Sequence, residues 1–83
     1  MNGVRQRYAP ERDEWVFEAP LALTDAQVSA CAHNAARIMA DRARGMRPGD
    51  RRDLVVKAHE ALRAGRVRQG FIGRKGDVVL YSN

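Results

Sequence analysis

The spacing of apolar residues changes twice along this chain, and that change restricts the fold more than any other feature. Between residues 4 and 19 the period is two. Val4, Gln6 and Tyr8 alternate with Arg5 and Arg7, and Trp15 and Phe17 share one face while Val16 and Glu18 share the other. Such alternation marks half-buried strands. Pro10-Glu11-Arg12-Asp13 supplies the turn of a β-hairpin, proline presetting φ, and Pro20 ends the second strand. The period then becomes helical. Thr24-Asp25-Ala26-Gln27 is a capping box, and Leu23 and Val28 form a hydrophobic staple around it. At 100° per residue, Val28, Cys31, Ala32, Ala35, Ile38 and Met39 fall on one stripe. The helix is expected from Asp25 to Arg44, with Gly45 as its left-handed end.

Met46-Arg47-Pro48-Gly49 reads as a loop, with Asp50 capping a second helix and Asp53 in its first turn. Leu54, Val55, Ala58, Ala61 and Leu62 form its expected buried stripe, and Gly65 ends it. The opposite face carries Arg52, Val56, His59 and Arg63 at i, i+4, i+7 and i+11, an exposed valine between two arginines and a histidine. Residues 66–82 return to strand character. Val67 and Phe71 are expected on one face, Val78 and Leu80 pair on the returning strand, and Gly73-Arg74-Lys75-Gly76-Asp77 makes the turn. The expected fold is therefore α+β: a hairpin-helix-helix-hairpin (ββ-α-α-ββ), two helices on a small antiparallel sheet, with residues 1–83 as one small domain. Alternatively, the second hairpin stands apart from the first.

Composition narrows the function. The chain has 83 residues, a net charge of +5 and a pI near 10.3. Its apolar content of 45% is normal for a globular domain. Thirteen of those apolar residues are alanine, so large core side chains are scarce. A domain this thin gains from a partner or from its own copy, and a homodimer is one expectation. The charge is segregated. Residues 37–75 hold twelve Lys/Arg and four acids, net +8, whereas residues 1–36 are net −2 and residues 76–83 net −1. A local positive field attracts polyanions, and thirteen of the fifteen cations are arginine, whose planar fork suits phosphate. A GC-rich gene would also write arginine on an ordinary solvated surface.

Other classes are excluded or disfavoured. No apolar run is long enough to span a membrane, and the first residues have no apolar signal core. One cysteine, Cys31, forbids an internal disulfide and suggests the cytoplasm. No cofactor, metal or catalytic set is expected. HxxxH, HExxH and CxxC spacings are missing, and the glycines spell no phosphate-binding fingerprint. His59, Arg63 and Tyr81 would be the residues of a small basic ribonuclease, but no spacing brings them together.

Asp50 to Ala64, then Gly65-Arg66-Val67, then a hairpin tipped by Gly73-Arg74-Lys75-Gly76-Asp77 with Tyr81 near its end, resemble the recognition helix and wing of winged helix-turn-helix domains. The resemblance covers about 32 of the 83 residues. The leading helix is replaced by a hairpin and the first helix is long. The resemblance implies a winged-helix variant whose second helix enters the major groove while the hairpin touches the backbone. On that reading Arg52, His59 and Arg63 face base edges or phosphates and Val56 meets a thymine methyl. Arg66, Arg68, Arg74 and Lys75 bind phosphate, beside Arg51 and Lys57 within the same contact surface. The expectation is a small, basic, cytoplasmic, non-enzymatic module that binds nucleic acid, DNA ahead of RNA, and acts as a DNA-binding regulator. The alternative is a protein-interaction inhibitor or adaptor, phage or mobile-element encoded, for example, that docks on an acidic protein surface of a larger host complex and blocks it.

Overall fold

A computed structural model describes residues 3–42, 46–65, 68–74 and 76–81. The elements run β1 (Arg5–Ala9), β2 (Glu14–Glu18), α1 (Asp25–Arg42), α2 (Pro48–Gly65), β3 (Gln69–Gly73) and β4 (Val78–Tyr81). All four strands form one antiparallel sheet in the order β1-β2-β3-β4. The helical pair is thus inserted into a four-stranded meander, and β2 meets β3 across it, from Glu14↔Gly73 to Glu18↔Gln69. The C-terminal hairpin is half of the common sheet.

Local chemistry accounts for most boundaries. In the β1–β2 turn the Arg12 N–H closes onto the Ala9 carbonyl (3.1 Å) and Asp13 takes a left-handed φ of 51°. The Tyr8 hydroxyl donates to Asp13 Oδ1 at 2.6 Å and holds that conformation. At α1 both halves of the capping box form. Gln27 N–H donates to Thr24 Oγ1 (3.2 Å), and Thr24 N–H donates to Gln27 Oε1 (2.9 Å). Leu23 and Val28 are both buried, as the staple requires. The expected end of this helix, residues 43–45, lies outside the described residues.

The start of α2 corrects the sequence reading. Pro48 and Gly49 are helical, and Asp50 is the third residue of the helix instead of its cap. Proline suits the first helical position, because its φ is already helical and the N–H it lacks has no partner there. Asp50 reaches back instead: its Oδ2 accepts the Arg47 N–H (2.9 Å), while its own N–H donates to the Arg47 carbonyl (2.9 Å). The earlier start moves Asp53 into the second turn.

The core lies between the helices and one face of the sheet. Trp15, Phe17 and Ile72 supply the sheet side, with Val4 and Tyr8 at its margin. Val28, Cys31, Ala32, Ala35, Ala36 and Met39 supply α1, and Leu54, Ala58 and Leu62 supply α2. Ala36 is buried where Ile38 was expected, and Ile38 is only half-buried. The buried arc of α1 runs from Cys31 round to Ala36, about 140°, because α1 packs on α2 as well as on β1 and β2. Alanine on that side lets the helices approach. In β3 the core residue is Ile72, opposite Trp15; Phe71 is on the solvent face opposite Val16 and Val79. Val67 lies outside the described residues.

The Trp15 indole N–H donates to Gln6 Oε1 (3.1 Å). No buried side-chain polar atom lacks a partner among the described residues. Burial pushes the Cys31 thiol up to about 12, partly offset by a hydrogen bond with Trp15, so the sulfur is an inert thiol near neutrality. No helix among the described residues is long and apolar enough to cross a membrane.

Candidate nucleic-acid interface

Helix α2 has three fully buried side chains, Leu54, Ala58 and Leu62, with Val55 half-buried against the core, and its opposite face is left to solvent. Arg52, Val56, His59 and Arg63 lie within about 60° of one another and extend over about 16 Å. The arginines are exposed, His59 is half-buried, and Val56 is 53% exposed. Arg51 is exposed, and with Pro48, Arg52, Val55 and Val56 it lines a shallow hollow of about 340 Å³. Lys57 is exposed on the other flank, among Asp53 and Glu60. Among the described residues, none of Arg51, Arg52, Lys57 and Arg63 is in an ion pair. Their charge is therefore directed at solvent.

The other expected contact residues are dispersed. Arg68 precedes β3, and its Nη1 donates to the Pro20 carbonyl at 3.2 Å while its own carbonyl accepts the Ala19 N–H at 2.7 Å. It is tied to the corner between β2 and α1. Arg74 is beyond the far end of β3, six residues away and so about 20 Å from Arg68. There it borders a hollow with Arg12, Asp13, Glu14 and Asp77, where carboxylates offset its charge. Arg66 and Lys75 lie outside the described residues.

One link joins the second hairpin to α2. Gly76 has a φ of +85°, and a Cβ there would come within 2.8 Å of Lys57 Cβ and 3.1 Å of Leu54 Cα. Only glycine lets the turn close so tightly on the helix. Gly73, whose added Cβ would meet Asp77 Oδ1 at 2.6 Å, keeps the same turn narrow. The turn therefore abuts the Lys57 flank of α2, away from the Arg52–Arg63 stripe.

Two surfaces escaped the sequence reading. Cross-strand register aligns Arg7, Val16, Phe71 and Val79 in one row on the solvent face of the sheet. Val16 and Phe71 are half-buried there and Val79 is 45% exposed. Each strand alone shows only one of these residues, so only the register could have revealed the row. The second is a larger hollow, about 630 Å³, whose lining includes Arg5, Glu18, Arg68 and Gln69. It forms where the β2–α1 corner meets the start of β3.

No group of three or more His, Cys, Asp or Glu among the described residues could hold a metal ion. His33 is on α1, with Nδ1 2.8 Å from the Ser29 carbonyl, and His59 is on α2. Comparison with known proteins returns no match to this chain among family models, curated proteins or solved structures.

Proposed function

We propose that this chain is a small, non-enzymatic nucleic-acid-binding module that uses the outer face of α2. The observation that carries the reading is the stripe of Arg52, His59 and Arg63 around a half-exposed Val56, its arginines without ion-pair partners among the described residues. Arginines free of carboxylates release counterions from phosphate at no cost in broken ion pairs. A helix that is buried by one narrow stripe can enter a groove, and Val56 offers an apolar contact within it. Arg51 and Lys57 flank the stripe and would set its orientation through the backbone.

The test is fluorescence anisotropy with labelled duplex DNA, single-stranded DNA and RNA at low and near-physiological salt. Binding to one of the three is expected to survive near-physiological salt. The pair Arg52→Ala and Arg63→Ala should lower the slope of log K against log salt by about two units. Binding that disappears at physiological salt without preference among the three probes would overturn the reading.

A second reading is favoured by the hollow of Pro48, Val55 and Val56 rimmed by Arg51 and Arg52. Apolar centres rimmed by arginine also mark protein interfaces, and an inhibitor or adaptor docking on an acidic protein would use the same helix. Salt separates the two: binding to a nucleic acid should weaken steeply as salt rises, whereas docking on a protein through the apolar hollow should weaken less.

A further inference from the structure

We infer that β4 is a pairing edge and that its occupant is β4 of a second copy of this chain. The sheet has two edges, and they differ in kind. The β1 edge carries exposed Arg5 and Arg7 and runs into Pro10, features that discourage a neighbouring strand. The β4 edge is Val78-Val79-Leu80-Tyr81, with no charge, proline or glycine. The hairpin ladder shows which backbone groups it leaves open. Gly73 N–H donates to the Asp77 carbonyl (2.8 Å), so Gly73 and Asp77 form a hydrogen-bonded pair. Such pairs alternate along an antiparallel ladder. In this register Phe71 and Val79 are the next bonded pair, and the N–H and C=O of Val78 and Leu80 point away from β3.

Those four groups fit a two-fold copy of the same strand. Centred on Val79, an antiparallel β4 pair sets Val78 opposite Leu80 of the second copy, and Leu80 opposite its Val78. Four hydrogen bonds form, and the two Val79 residues become the close, non-hydrogen-bonded pair. Pairing through β1 would instead crowd Arg5 and Arg7 against their copies. The axis stands perpendicular to the sheet, so both helical layers share one side of a continuous eight-stranded sheet. The flank of α2 that meets the β3–β4 turn carries Asp53, Lys57 and Glu60, acid and base together, so charge does not oppose the approach. The inference does not depend on what α2 binds.

Sedimentation velocity from low micromolar to several hundred micromolar chain, with amide hydrogen exchange in parallel, tests it. The mass should rise from 9.3 kDa toward twice that value, and exchange at the Val78 and Leu80 amides should slow as it does. Val79→Lys opposes two ammonium groups across the axis and should stay monomeric with an unchanged circular dichroism spectrum. Val79→Thr, uncharged and β-branched, should still dimerise. A wild-type chain that is monomeric at every concentration would overturn the proposal. So would a dimer that survives Val79→Lys with Val78 and Leu80 exchanging freely, or a mass that grows past the dimer without limit.

Discussion

Helices α1 and α2 have the same length, 18 residues, and divide the work of the domain between them. Helix α1 is buried through six residues, half of them alanine, and packs on β1, β2 and α2. Helix α2 is fully buried at Leu54, Ala58 and Leu62, with Val55 half-buried against the core beside them, and turns its arginines outward. The difference follows from position. Helix α1 meets α2 along one side and β1 and β2 along another, and alanine lines the side where the two helices come close. A helix with one broad exposed face is free to carry charge there. On the proposed function α1 is scaffold and α2 is display, and substitutions should separate along that line.

The largest effect is expected at the anchors of α2. Leu54 is fully buried and also receives the Gly76 turn. Leu54→Ala should cost about 2–5 kcal/mol, lost transfer energy plus a residual cavity. Because Leu54 is packed both by the core and by the Gly76 turn, the cost should be at the upper end, read as a lower urea midpoint. A loss below about 1 kcal/mol would mean that the display helix is held by something other than its narrow buried stripe.

Much of this division can be read in the sequence, and the rest fails for a consistent reason. The hairpins, the Thr24–Gln27 cap and the α2 stripe depend on residues within one turn or one strand, so local periodicity and capping chemistry reveal them. The early start at Pro48 was also local; it was missed because Asp50 is a familiar cap and equally able to reach back from the third position. The inward Ile72, the outward Phe71 and the Val16–Phe71–Val79 row depend on pairing between β2 and β3, more than fifty residues apart. No periodicity within either hairpin carries that register. The same limit separates the expected contact residues: the stripe on α2 holds together, while Arg68 and Arg74 are at opposite ends of β3.

The dryness of α1 predicts a pH dependence. Cys31 is raised to about 12 in the folded chain, chiefly by desolvation, against an ordinary value of 9.0. Below pH 9 the thiol is protonated in both states and has no linkage effect. Between about pH 9 and 12 the unfolded chain releases the proton and the folded chain keeps it. Stability should therefore fall with rising pH, by up to about 1.4 kcal/mol per unit from this group. Urea unfolding of wild type and Cys31→Ala at pH 8, 9 and 10 isolates the contribution, because every other titrating group is shared. Parallel curves above pH 9 would mean that water reaches the sulfur and that α1 is less sealed than its buried face implies.

The smallest expected effect is the sharpest test of the contrast. Val56 is 53% exposed in the middle of the α2 stripe and belongs to no core cluster. Val56→Ala removes apolar surface from the lining of the shallow hollow. It also replaces a β-branched residue with the best helix former, which regains part of the loss. The two terms oppose each other, and thermal or urea unfolding should move by no more than about 0.5 kcal/mol in either direction. The same truncation on the scaffold helix, Val28→Ala, gains the same helix propensity but empties a fully buried site, so the transfer and cavity cost prevails. If Val56→Ala costs as much as Val28→Ala, then α2 is structural on both faces, and the exposed valine is not part of a recognition surface.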